Sequence, residues 1–443
     1  MLAAERTVAV QNDLLTRIAH ARALTDELFQ VVKPDALYDR PIPERHRMVF
    51  YIGHLEAFDW NLLRERALKL TPFSPAFDRL FAFGIDPVGG GLPTDEPQDW
   101  PRLEDVLAYR KRIRDVLDEG LDSAVSSGRD DGEFSLSLLL NVAIEHRLMH
   151  AETLAYMLHR LPLDKKVSGL RLAAAGGAAP SHALIEIAAG TATLGQPTAK
   201  GSFGWDNEFE ENAVHVSEFL IDRYKVTNGD WLEFLSSGGY ANRSLWGSSA
   251  WEWKEAHQIS HPAFWKLEGN EWLCRTMFDE VPLPHHWPVY VSHAEAEAYA
   301  KWAGKSLPTE AQWHRAAYGT PQGSERMYPW GDEPPTNERG NFDFRSWDPV
   351  AVNASAQGNS AFGVADMLGN GWEWTSTVFG PFPGFQRFPF YPGYSADFFD
   401  GKHYVMKGGS ARTATCMLRR SFRNWFQPHY QYVYAGFRCV RSK

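Results

Sequence analysis

Up to about Pro162 the apolar residues recur mostly three or four apart, as Leu14, Leu15, Ile18, Leu24, Leu28 and Val31 do. That period lines one face of a helix. Similar stretches run from about Tyr51 to Leu70, from Leu103 to Val125 and from Ser135 to Leu161. Four long helices are therefore predicted, and helices of this length bury their apolar faces by forming a bundle. Between the second and third lies FAFGIDPVGGGLPTDEPQDWPR, starting at Phe81, whose glycines and prolines predict a long loop and a candidate substrate loop.

From Lys165 to His182 the chain is rich in small residues and reads as a linker. Beyond it the pattern changes to short β-like runs (ALIEIAAGTATLG, VHVSEFLIDRYKVT, HYVMKGGS, YVYAGFRCVR) separated by long loops dense in Trp, Gly and Pro. One helical segment, SHAEAEAYAKWAGK, interrupts them. The predicted organisation is α+β: a helical bundle over residues 1–164, a linker over 165–182, and a domain with sparse regular structure over 183–443. A chain of 443 residues is long enough for two such domains.

Composition narrows the function classes. With 44% hydrophobic and 23% charged residues the chain can bury a core, which excludes a disordered or collagen-like protein. A net charge of −10 without a basic run of five or more residues argues against nucleic acid or an anionic membrane as partner. Cys274, Cys416 and Cys439 form no CxxC pair and no disulfide framework, and the N-terminal segment lacks the apolar core of a signal peptide. These features predict a cytoplasmic protein.

The candidate chemistry lies in the histidines. His146 and His150 are four apart on the fourth helix, so both imidazoles share one face about 6 Å apart along the axis, within reach of one metal ion. His54, in Gly53-His54-Leu55-Glu56 on the second helix, is a candidate third nitrogen ligand. Imidazole suits zinc, copper, nickel and iron alike, and such a pair also occurs as packed core or surface residues, so spacing alone does not choose the metal. Glu152 projects at a different angle and reads as a supporting acid rather than a ligand.

GHLEAFDW and EHRLMHAETL resemble the upstream ligand and the HxxxHxE signature of the DinB-like bundle in the ergothioneine-biosynthesis sulfoxide synthases, the EgtB family. PVYVSHAEAEAYAKWAGKSLPTEAQWHRAAYG, YPWGD, GNGWEWTST, VMKGGSARTAT and RRSFRNWF with YAGFRCVR resemble the formylglycine-generating-enzyme and sulfatase-modifying-factor domain, a C-type-lectin-like fold. The resemblance implies iron(II) held by His54, His146 and His150, Glu152 as the acid orienting the ligand shell, and dioxygen as co-substrate. It also implies carbon–sulfur or carbon–selenium bond formation at C2 of the hercynine imidazole. Trp425, Asn424, Phe426 and Trp372 then lie in pocket-lining motifs for the betaine, with Arg423 beside Asn424 and Met149 beside His150 as further substrate-binding candidates. Formylglycine-generating activity is disfavoured, because Gly408-Gly409-Ser410 is followed by Ala411-Arg412-Thr413 and Cys416 falls out of register. The competing readings are a betaine- or thiol-binding module without turnover and a thiol dioxygenase.

Four departures from the family bear on substrate. Met149 stands where a Gln commonly meets the acceptor imidazole, and Phe81-Ala82-Phe83-Gly84-Ile85 replaces a tyrosine-containing loop. Val378 and Phe379 occupy the family's other tyrosine location, leaving Tyr391, Tyr394 and Tyr404 as substitutes. Between Leu80 and Pro101 there is no Lys or Arg to clamp an anionic donor, while Asp86, Asp95, Glu96 and Asp99 would repel one. Phe426 stands where an acid often grips the donor. A neutral thio- or selenosugar donor, as in the related selenoneine synthases, is one expectation; a donor held by Arg412, Arg419, Arg420 or Arg423 is the other.

Overall fold

The computed structural model describes residues 2–85, 91–128, 134–167, 180, 182–198 and 203–443. The chain forms two compact units, Met1–Gly169 and Leu170–Lys443. The first contains helices α1 (Leu2–Gln30), α2 (Met48–Arg66), α3 (Pro75–Phe83), α4 (Leu103–Ser126) and α5 (Leu136–Arg160). α1 packs along α5, and α2 lies against α3, α4 and α5. α5 is the central helix: Leu140, Ala143, Ile144, Ala151, Leu154 and Leu158 are buried on several sides of it. It starts at Ser135, whose side chain accepts the Leu138 N–H, and stops before Pro162.

α3 departs from the sequence expectation, since its last turn occupies the start of the anticipated loop. Pro75 supplies a pre-set first helical residue and Gly84, at φ +75°, ends the helix. Phe81 of α3 lies directly over Gly53 of α2, filling the space a side chain would need there. The remainder of the loop also differs from expectation. Asp95 is buried, accepts the Trp100 indole N–H at 2.6 Å and is ion-paired with both Arg40 and Arg47. Glu96 lies 3.8 Å from Arg47, and Asp99 caps the Glu96 backbone N–H. The charge of Asp95 is thus answered inside the protein and does not face a donor, whereas Glu96 and Asp99 are exposed; Asp86 lies outside the described residues. Of the anticipated linker, residues 165–167 run against the bundle, where Val167 N–H donates to the Val31 carbonyl at 2.8 Å. Residues 168–179 and 181 lie outside the described residues.

The second unit begins with β1 (Leu184–Ile187), β2 (Gly190–Leu194), β3 (Asn212–Val216), β4 (Phe219–Asp222), α6 (Asn228–Ser236) and α7 (Ser248–Ala256). It continues through β5 (Trp265–Glu268), β6 (Glu271–Arg275), β7 (Glu280–Pro282), α8 (His293–Trp302), α9 (Glu310–Tyr318) and β8 (Trp372–Val378). β9 (Tyr404–Lys407), β10 (Asn424–Phe426), β11 (Ala435–Gly436) and β12 (Val440–Ser442) complete it. The single helix anticipated here is joined by α6, α7 and α9, all short, with α6 and α9 started by the capping boxes of Thr227 and Thr309. The sheets are small: β1-β4-β12, β10-β9-β8-β11, the β2-β3 hairpin and the β5-β6-β7 meander. A core around Trp313, Phe219, Ile221 and Phe342 joins α9 to the strands. The WEW and FRC motifs meet in the interior, where Arg438 bonds both carboxylate oxygens of Glu373 at 2.6 and 2.8 Å. These motifs are therefore architectural.

Candidate metal and substrate site

α2 and α5 bring His54, His146 and His150 together, with ligand nitrogens all within 4.8 Å of one another. The Nδ1 of His54 lies 2.7 Å from the Phe81 carbonyl, which can only accept, so Nδ1 carries the proton and the Nε2 lone pair faces His150 Nε2 at 3.2 Å. Phe58, one turn after His54, stacks on His146 with centroids 3.4 Å apart and planes 7° apart. Phe50, one turn before His54, stacks on His54 at 4.7 Å. Tyr51 closes a third side, 5.8 Å from His150. These aromatic walls were not singled out from the sequence, although the i±4 spacing about His54 puts Phe50 and Phe58 on its face.

Burial pushes the His54 imidazole down to about 4 and those of His146 and His150 well below their usual range. All three are neutral at pH 7 and present lone pairs rather than charge. A set of three converging neutral nitrogens in an apolar wall fits one divalent transition metal. Glu152 is buried two residues beyond His150, and the donor cluster itself consists of the three histidines. Met149 is half-buried beside His150, and its carbonyl accepts the Thr153 hydroxyl at 3.2 Å.

In the second unit Asn424, Trp425 and Phe426 form the edge strand β10 and are all half-buried. Trp425 stacks on Phe379 at 4.1 Å and 7°, with the rings of Tyr394 and Phe398 at 5.5 and 5.6 Å. Phe426 stacks on Tyr430 at 4.9 Å, and the Asn424 side chain accepts the Trp425 N–H. Tyr394 is buried against Trp205, and Tyr404 stacks on His293.

Two anticipated substrate residues are corrected. Trp372 is only 3% exposed on the inner strand β8, packed near Phe422, so it is a core residue. Arg423 is equally buried; its guanidinium bonds both oxygens of Glu310 at 3.0 and 3.1 Å and lies over Phe382. The other arginines considered for the donor are likewise engaged. Arg412 lies 3.9 Å over Trp347 and donates to the Phe344 carbonyl, Arg419 grips Glu208, and Arg420 pairs with Glu325.

The DinB superfamily profile matches residues 17–154, and the sulfatase-modifying factor enzyme 1-like domain matches residues 173–443. A DinB-type helical region carrying a histidine cluster, followed by such a domain, defines the class. A hercynine oxygenase of Mycobacterium tuberculosis is 37% identical over 326 residues, covering 72% of this chain and 74% of that protein. A hercynine oxygenase of Mycolicibacterium thermoresistibile is 37% identical over 407 residues, covering 88% and 85%. Ergothioneine biosynthesis protein 1 of Neurospora crassa is 28% identical over 502 residues, covering 93% of this chain and 56% of its own length. The chain belongs to the hercynine oxygenase family. Among the described residues no helix is long and apolar enough to cross a membrane.

Proposed function

We propose that this protein is a non-haem iron(II), dioxygen-dependent enzyme that joins a sulfur or selenium donor to C2 of the hercynine imidazole. The observation that carries the reading is the convergence of three neutral imidazoles, His146 buried and His54 and His150 half-buried, with ligand nitrogens within 4.8 Å, in a chain whose relatives are named hercynine oxygenases. Joining the chalcogen to C2 removes one hydrogen from each partner, so an oxidant must accept two electrons and two protons, and dioxygen is that oxidant. Bound iron(II) supplies the dioxygen chemistry and coordination positions for the donor. The protein supplies the rest. The Phe81 carbonyl fixes the tautomer of His54, Phe50 and Phe58 exclude water from the ligand rings, and Glu152 supports the ligand helix. Asn424, Trp425 and Phe426 hold the betaine, the quaternary ammonium lying against aromatic faces, with each such contact contributing about 1 kcal/mol or more where water is excluded.

The donor we assign is neutral, a thio- or selenosugar. Support comes from the internal engagement of the guanidiniums of Arg40, Arg47, Arg412, Arg419, Arg420 and Arg423, each held by a carboxylate or carbonyl of the protein itself. Hydroxyl groups need no free cation to be recognised. The test is anaerobic iron(II)-loaded protein mixed with hercynine and, separately, cysteine, γ-glutamylcysteine, thioglucose and selenoglucose, followed by mass spectrometry after air is admitted. A coupled product with a sugar donor is expected. Coupling only with the amino-acid thiols overturns the donor assignment, and oxygen uptake with none of them overturns the reaction.

A further inference from the structure

Arg147 directly follows His146 on α5 and is fully buried. Its guanidinium crosses to α2, where it donates to the Leu55 carbonyl at 2.9 Å, to Glu56 at 3.1 Å and to Asp59 at 2.6 Å. Residues 55 and 56 are the two that follow His54. Glu56 is also gripped by Arg114 of α4 at 2.6 Å, and Arg114 in turn holds Asp26 of α1.

We propose that Arg147 is a positioning residue for the histidine cluster, a fork that locks the register of α5 against α2 at the level where His54 meets His146 and His150. The inference rests on the metal-site reading above. A one-turn slip of α5 along α2 moves its residues by about 5.4 Å, and metal–ligand distances tolerate only about 0.2 Å. Apolar packing of α5, where Leu140, Ala143, Ala151 and Leu154 are buried, is non-directional and sets no register this sharply. A forked donor answering three acceptors on the facing helix does.

The test uses the full chain and cobalt(II) as a spectroscopic probe. Arg147→Met alone leaves Asp59 buried without its charged partner and Glu56 with Arg114 only, so it is combined with Glu56→Gln and Asp59→Asn, which removes both carboxylate charges with the guanidinium, a net change of +1, and leaves Arg114 held by Asp26. Arg147→Lys, which keeps the charge and loses the fork, is the second variant. Native protein is expected to bind one cobalt(II) with a defined visible spectrum. The triple variant is expected to unfold cooperatively yet bind at least tenfold more weakly with altered bands, and Arg147→Lys to fall between; if the triple variant does not fold, Arg147→Lys decides. Native affinity and native bands in the folded variants overturn the inference and leave the network a purely structural one. Failure of the native protein itself to bind cobalt(II) overturns the metal-site reading, and this inference with it.

Discussion

Substituting Gly53→Ala adds one methyl group beside the proposed metal ligand His54, and two effects of opposite sign compete. Alanine in the interior of α2 gains about 0.5–1 kcal/mol over glycine from the reduced freedom of the unfolded chain. Against this, the new carbon would lie 2.5 Å from Phe81 Cε1 and closer still to Cδ1 and Cγ, about an ångström inside normal contact. Phe81 cannot easily retreat. It is fully buried, it packs on Tyr109 at 5.7 Å, and its helix is anchored through Asp78, which accepts hydrogen bonds from Trp60 and Tyr109. Overpacking of this kind costs about 1–3 kcal/mol, so the steric effect wins and a net loss of about 1–2 kcal/mol is expected by urea unfolding of the metal-free protein. The displacement also moves the Phe81 carbonyl that holds His54 Nδ1 at 2.7 Å. Loss of such an outer hydrogen bond weakens metal affinity by roughly 10–100-fold, measured by iron(II) or cobalt(II) titration. A variant that is about 1 kcal/mol more stable than native, with native affinity, would refute the reasoning.

Three further expectations can be checked in the same preparations. Asp95→Asn leaves Arg40 and Arg47 facing a neutral group at a buried site, and urea unfolding should show a loss of about 3 kcal/mol; a change under 0.5 kcal/mol would contradict the anchoring role. Burial lowers His54 to about 4 and His293 to about 3 from an ordinary 6.5. The unfolded chain therefore binds more protons, and the metal-free protein keeps the full contribution of both groups above pH 6.5 and loses it on acidification toward those values, by up to about 1.4 kcal/mol per pH unit per histidine. A flat profile between pH 6.5 and 4 would be inconsistent. Trp425→Ala should fold and bind hercynine about fivefold or more weakly, whereas Trp372→Ala should lose about 3–5 kcal/mol of stability; the reverse pattern would show the two tryptophans misassigned.

The contrast between those tryptophans shows where the sequence is readable. Both stand in aromatic motifs of similar composition, and only sheet order separates them, since β8 is an inner strand and β10 an edge. Helices α1, α2, α4 and α5 were legible because their periodic apolar positions run for several turns. α3 was hidden in a window full of Pro and Gly, even though Pro75 and Gly84 are the residues that start and stop it. Buried charge is the larger blind spot. Arg147, Arg423 and Asp95 belong to residue types that are rarely interior unless paired, and their partners come from segments distant in sequence. The approach of His54 to the other two histidines was open for the same reason: no spacing rule links positions on different helices.

The claim on which the account depends is that the three histidines hold one iron ion, and anaerobic titration of the metal-free protein with iron(II) tests it most directly. The account predicts saturation at one equivalent, and no measurable binding by a folded His150→Ala variant. Undiminished stoichiometry and affinity in that variant would contradict it.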